Sequence, residues 1–400
     1  MVLAQRLAQV APSATLKMAA EAERLRRAGI NVVDFSAGEP DFPTPEHVKA
    51  AGKTAIDQNF TRYTPAPGIP ELREAICRRY ENDYGVKITA AEVLMTVGGK
   101  QALFNTALAL FDPGDQVITH APYWPTIPEQ VKLVGGEPVI VQTRSADGFT
   151  VHADDVIRAI TPKTKAIILN SPSNPTGGLI EESAVAAIAD AAAKRGIWVI
   201  VDLCYEQLIY EKVPHNLVKV LFDRHRDRTV IAGSASKSYA MTGWRCGWTI
   251  APKELTSAFN TIQGQSTSNI TSITQKAVLA ALQGSQQPVI DMLNEYRTRR
   301  DSIHAWLTAH AGIQCVKPKG AFYLFPDISG LLGGNVKSSA DFAQGLLETE
   351  HVVVTPGEAF DAPGYLRISY ATSMEQLREG ADRILRFADT LQPANASAAR

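Results

Sequence analysis

Three short apolar runs constrain this chain more than any other feature. "KAIILN" (165–170), "IWVIVD" (197–202) and "TVIAGS" (229–234) are apolar almost without interruption. A strand with one wet face alternates apolar and polar residues, whereas a strand covered on both faces does not. Between the first two runs lies "EESAVAAIADAAAKRG" (181–196), a helical pattern that ends in basic residues and glycine. Strand, helix and strand in this order build a mostly parallel sheet with helices on its faces, so the expected class is α/β.

Open parallel sheets collect ligands beyond the carboxyl ends of their strands. The stretches that matter are therefore Asn170 to Gly177, Asp202 to Tyr205 and Ser234 to Lys237. From about residue 290 the pattern changes. A long charged helix, "DMLNEYRTRRDSIHAWLTAH", precedes "GAFYLFPDI" and "GYLRISYA", which read as strands of a smaller α+β domain. The expected division is a large domain over 46–290 and a small domain made from 1–45 and 291–400. The start of the chain reads as an amphipathic helix with Arg24, Arg26 and Arg27 outside, and the tail "QPANASAAR" as frayed.

Candidate ligand groups follow the strands. In "VLMTVGGKQALFNTALALF" (93–111) a strand runs through Gly98 and Gly99 into a helix. Two glycines and the free N–H groups of a helix start suit a phosphate, although a plain β–α turn explains the stretch equally well. Asp202 closes an apolar strand, where a carboxylate is costly unless paired; it either caps the next segment or meets a buried protonated nitrogen. Tyr205 is placed to aim its hydroxyl at the same ligand. Lys237 follows a buried strand among small residues. A lysine there loses its proton readily and becomes a nucleophile toward an aldehyde. Ser234 and Arg245 add phosphate contacts. One ligand uses all of these groups. Pyridoxal phosphate has an aldehyde for Lys237, a ring nitrogen for Asp202, a phenolic oxygen for Tyr205 and a phosphate for the helix start.

Taken in order, "AGEPDFPTPEHV", "YTPAPGIPELREAI", "TVGGKQALFN", "APYWPTIPE", "NSPSNPTGG", "SASKSYAMTGWRCGW", "KGAFYLF" and "YLRISYA" resemble the class I aminotransferases of fold type I, nearest the bacterial aspartate aminotransferase subgroup. The resemblance covers nearly the whole chain. It implies that Lys237 carries the cofactor and serves as base between the substrate Cα and the cofactor. Asp202 would pair with the ring nitrogen, and Tyr205 and Asn174 would hold the phenolic oxygen. Trp124 would stack on the ring. Gly98, Gly99, Lys100, Ser234 and Arg245 would surround the phosphate. Tyr63 would reach the phosphate of a neighbouring subunit, which implies a homodimer with shared sites.

For substrate, the resemblance implies that Arg367 clamps the α-carboxylate through paired hydrogen bonds, with the Gly38 backbone alongside. Lys100, Ser13 and Thr15 would hold the distal carboxylate of aspartate or glutamate. Amino and 2-oxo acids (aspartate, glutamate, 2-oxoglutarate, oxaloacetate) are the expected partners, in a ping-pong transamination. Subgroup members that use prephenate tend to carry a lysine before the proline of "PSAT", and Ala11 stands there in this chain. The usual "DEIYE" reads "DLCYE" (202–206), with Leu203 and Cys204 as the departures.

The totals exclude other partners. A net charge of −1 gives no reason to expect nucleic acid or an anionic membrane. No stretch has the apolar length of a membrane span, and the start lacks the apolar core of a secretion signal, so a cytoplasmic protein is expected. The four cysteines, Cys77, Cys204, Cys246 and Cys315, form no CxxC pair, which argues against zinc or a disulfide framework. Two other readings keep the fold and change the chemistry: an aromatic aminotransferase, or another pyridoxal-phosphate enzyme such as a C–S β-lyase. A non-catalytic sensor would need a DNA-binding module, and none is visible in the sequence.

Overall fold

The computed structural model describes residues 4–11 and 14–391, with residues 14–19 as backbone. Twelve strands occur in chain order among the described residues. They are β1 (Val33–Asp34), β2 (Val93–Thr96), β3 (Gln116–Ala121), β4 (Glu137–Gln142), β5 (Thr164–Asn170), β6 (Trp198–Asp202), β7 (Thr229–Ser234), β8 (Gly247–Ile250), β9 (Tyr323–Leu324), β10 (Val352–Val353), β11 (Thr355–Pro356) and β12 (Leu366–Ser369). The three apolar runs are β5, β6 and β7, within a residue of the expected ends.

Seven strands make one sheet in the order β2-β8-β7-β6-β5-β3-β4. Only β8 runs against the rest, being antiparallel to both β2 and β7. Its reversal brings its beginning, just after Arg245, to the edge where β2, β3, β5, β6 and β7 end. Every ligand-bearing turn expected from the sequence therefore opens on one side of the sheet.

The sheet is sealed on both faces. The apolar side chains of β6 divide between two cores, Val199 and Val201 in one and Ile200 in the other, and all three are nearly fully buried. This is why the runs show no alternation. The helix Glu182–Ala193 sits where its pattern placed it and buries Val185, Ile188, Ala189 and Ala192.

The remaining strands are short. β1 pairs with β10 in parallel, and β11, β12 and β9 form an antiparallel sheet with Ser369 opposite Tyr323. The stretch read as one strand in "GAFYLFPDI" contributes only Tyr323 and Leu324, because Pro326 follows and cannot donate to a ladder. The long helix Gln287–Thr308 covers this region with Met292, Tyr296, Ile303 and Leu307. The same core takes in Tyr205, Leu208 and Tyr210 from the loop after β6. At the start of the chain, a short 3-10 turn (Gln5–Gln9) and a helix (Ala14–Arg27) replace the single expected helix; Arg24, Arg26 and Arg27 are exposed as expected. The tail from 392 lies outside the described residues.

Candidate active site

Ser234 ends β7 and caps the following helical turn, Ala235–Ser238, by accepting from the Ser236 N–H over 3.1 Å. That turn carries Lys237 into a cavity of about 740 Å³ at the carboxyl edge of the sheet. Its amine donates to the Gly38 carbonyl over 2.5 Å. Burial draws the Lys237 ammonium below the ordinary lysine range, and Arg367 and Arg245 act in the same direction against the opposing pull of Cys204 and Glu39. A lysine that yields its proton is the form that attacks a carbonyl carbon.

Asp202 ends β6 and is 4% exposed. Burial pushes its carboxyl up to about 6, although the Cys204 N–H donates to its Oδ1 over 3.0 Å and Lys237 attracts it. Asp202 thus caps the turn behind it, as the first reading expected, and also lines the cavity. Asn170 lies beside Asp202 in register and donates to the Asp202 carbonyl over 3.3 Å. Its Oδ1 accepts from the Asn174 N–H over 2.9 Å, which fixes the turn that carries Asn174.

The glycine pair meets the start of β8. Gly98 has φ +77°, and a Cβ there would stand 2.6 Å from Arg245 Nη2. A Cβ on Gly247 would stand 2.6 Å from the Gly98 carbonyl carbon and the Gly99 nitrogen. The helix Gly98–Leu110 starts without a side-chain cap, so its first N–H groups remain available on the cavity side. The Arg245 guanidinium hydrogen-bonds Thr242 O over 2.7 Å and is exposed, with charge to spare for an anion.

Arg367 lies on β12 and is 2% exposed. It donates to Asn174 Oδ1 over 3.2 Å and to the Ser36 carbonyl over 2.8 Å, and its Nε is buried without a partner. Among the described residues no carboxylate lies within ion-pair distance of it. A buried guanidinium without a counter-charge is costly, and a substrate carboxylate is the natural remedy. Lys100 stands with its amine 5.1 Å from the centre of the Trp124 ring, and both line the cavity.

Most of the expected site residues therefore converge. Gly38, Gly99, Lys100, Trp124, Asn174 and Asp202 line one cavity with Tyr205, Ser234, Lys237, Arg245 and Arg367, and Gly98 lies directly behind Arg245. Tyr63 does not join them; it is 89% exposed. Ser13 lies outside the described residues. Thr15 falls in the helix Ala14–Arg27, where only backbone is described.

Three residues were missed. Asn170 carried a signal, a polar side chain closing an apolar run as Asp202 does. Ser236, whose hydroxyl accepts from Ser234 Oγ over 2.9 Å, stood in plain view between two residues already singled out. Tyr323 gave no local signal; its hydroxyl lies 2.8 Å from that of Tyr205, 118 positions away.

The donor set fits pyridoxal phosphate. Gly99 at the helix start, Arg245, the buried Asp202 carboxylate and the Lys237 amine, drawn below the ordinary lysine range, line the same cavity. The architecture is that of fold type I, an α/β fold. Residues 30–384 match the family model described as aminotransferase class I and II. The aspartate aminotransferase of Geobacillus stearothermophilus is 41% identical over 97% of this chain and 99% of its own. An aspartate/prephenate aminotransferase of Cereibacter sphaeroides is 43% identical over 96% and 98%. The aspartate aminotransferase of Thermus thermophilus, solved with maleate, superimposes with a TM-score of 0.92 at 42% identity, over 97% of this chain and all of that one. The chain belongs to the class I and II aminotransferase family.

Proposed function

We propose that this enzyme moves the amino group between L-aspartate and 2-oxoglutarate by a ping-pong cycle with pyridoxal phosphate. The observation that carries the reading is the pairing, in one cavity, of a buried Lys237 whose ammonium is drawn below the ordinary lysine range with a buried Arg367 that has no carboxylate partner among the described residues. The names of the relatives add the preference for an acidic substrate. When bound, the cofactor supplies an aldehyde for a primary amine and a protonated ring that takes up electron density from the substrate Cα.

The residues divide the remaining work. Lys237 would hold the cofactor through Nζ and, with its amine free, would serve as the base that moves a proton at the substrate Cα. Asp202 would hold the ring nitrogen in its protonated form, because a cation beside a buried carboxylate offsets the cost of keeping that carboxylate ionised. Tyr205 and Asn174 orient the phenolic oxygen, and Trp124 covers the ring. Gly98, Gly99, Lys100, Ser234 and Arg245 hold the phosphate, with Tyr63 reaching it from a second subunit of a homodimer. Arg367 and the Gly38 backbone fix the α-carboxylate. Lys100, Ser13 and Thr15 receive the distal carboxylate. Ala11, at the cavity edge, offers no cation to a prephenate carboxylate.

Absorbance of the protein with pyridoxal phosphate tests this reading. Addition of L-aspartate is expected to bleach the visible band and release oxaloacetate, while L-phenylalanine in a separate sample leaves the band largely intact. No band change with aspartate, glutamate or any other amino acid would end the aminotransferase reading. Bleaching by phenylalanine but not aspartate would move the substrate class, and pyruvate plus ammonia from a β-substituted amino acid would move the reaction to a lyase.

A further inference from the structure

We propose that Tyr323 is a positioning residue of the reaction, tying the Arg367 carboxylate clamp to the Tyr205 hydroxyl that faces the cofactor; the inference rests on the assignment of the site above. The Tyr323 and Tyr205 hydroxyls lie 2.8 Å apart and both side chains are buried. The Arg367 guanidinium lies over the Tyr323 ring, 4.5 Å from its centre. A Cβ on Gly38 would stand 3.4 Å from the Tyr323 hydroxyl, so that hydroxyl also borders the backbone assigned to the substrate.

Hydrogen counting gives the direction. Each phenol has one hydrogen, and burial raises both groups above the ordinary tyrosine range, so both stay neutral. If Tyr205 gives its hydrogen to the phenolic oxygen of the cofactor, the bond between the tyrosines must be donated by Tyr323. A phenol that accepts a hydrogen bond is a better donor through its own hydrogen. The cation over the Tyr323 ring withdraws electron density and sharpens that donation. A carboxylate on Arg367 offsets this charge. Occupancy of the clamp thus reaches the cofactor through two hydroxyls, without a moving part.

The sign follows. Donation by Tyr205 favours the anionic phenolic oxygen and lowers the proton affinity of the neighbouring Lys237 nitrogen joined to the cofactor. Loss of the Tyr323 hydroxyl weakens that donation and raises the proton affinity. The other groups that face Lys237 are Asp202, Cys204, Glu39, Arg245 and Arg367, and Tyr323→Phe changes none of them.

The experiment is a pH titration of the visible absorption band of the pyridoxal-phosphate-loaded protein, with and without maleate as an unreactive dicarboxylate. Wild type, Tyr323→Phe, Tyr205→Phe and the double variant are compared after circular dichroism shows that each is folded. Tyr323→Phe is expected to raise the midpoint by about half a unit to one unit, a threefold to tenfold change in proton affinity. It is also expected to reduce the shift caused by maleate, and to add nothing in the Tyr205→Phe background. A Tyr323→Phe midpoint equal to wild type, or an equal effect in both backgrounds, overturns the proposal while leaving the site assignment intact. A wild-type protein with no titrating band overturns both.

Discussion

The buried carboxylate of Asp202 has a cost that is visible in the protein without cofactor. Its folded-state pKa, about 6, lies above the unfolded value of 3.8. The ionised form is therefore disfavoured by folding, and the destabilisation grows as the pH rises through this interval and is complete above about 6. In cofactor-free protein, Asp202→Asn is expected to raise stability by about 1–3 kcal/mol at pH 8 and by roughly half as much at pH 5. In loaded protein the order reverses, because the ring nitrogen loses its partner. Denaturant unfolding at the two pH values, with and without pyridoxal phosphate, checks both signs. Lys237→Ala is expected to lose at least about 10⁴-fold in turnover, since it removes nucleophile and base together, while leaving thermal unfolding of the cofactor-free protein little changed. Arg367→Lys keeps the charge but loses the paired donors, and is expected to raise KM for aspartate by about 10- to 100-fold. Initial-rate kinetics of the folded variants measure these effects.

At the scale of elements, the proposed anion site depends on the close approach of a helix start and an antiparallel strand. Gly98→Ala is expected to weaken pyridoxal phosphate binding at least about tenfold, because its φ of +77° costs a residue with a Cβ about 1–2 kcal/mol and the new carbon displaces Arg245. Fluorescence titration of cofactor-free protein would show it. This scale also explains what was legible in the sequence. Asp202 closes a strand and Lys237 follows one whose apolar run announces it, so both were singled out from a dozen neighbouring letters, whereas Asn174 was named only through the resemblance. Gly98 and Gly99 were less legible: they read equally well as a plain turn, and their close packing against Arg245 and Gly247 at the start of β8 could not be read from the sequence. Tyr323 was illegible, since a tyrosine in an aromatic-rich strand reads as core. Only the pairing of β9 with β12, and the contact of that sheet with the loop after β6, gives its hydroxyl a partner.

At the scale of the molecule, the exposure of Tyr63 gives the assembly a sharp test. Lys237→Ala and Tyr63→Phe are placed in separate chains and mixed. If Tyr63 serves the site of its neighbour, each hybrid dimer holds one site with both defects and one with neither, so activity returns to about half that of wild type per hybrid dimer. If Tyr63 serves its own chain, no activity returns beyond the sum of the parents. If 1–45 and 291–400 form a small domain as proposed, its closure over substrate, with hinges near Pro40 to Pro45 and near 290–315, is expected to shrink the radius of gyration when maleate binds; identical scattering profiles would exclude it. The reversed strand β8 has a different consequence, which concerns time rather than space. β2 is synthesised early, yet its only neighbour in the sheet is β8, about 150 residues later. A chain growing from its amino end therefore carries an unpaired edge from residue 93 until residue 250 has emerged. If Gly98, Gly99 and Arg245 hold the phosphate as proposed, the nascent chain has no place for it throughout that interval, and cofactor capture becomes possible only when the last strand of the large sheet slides in beside the first.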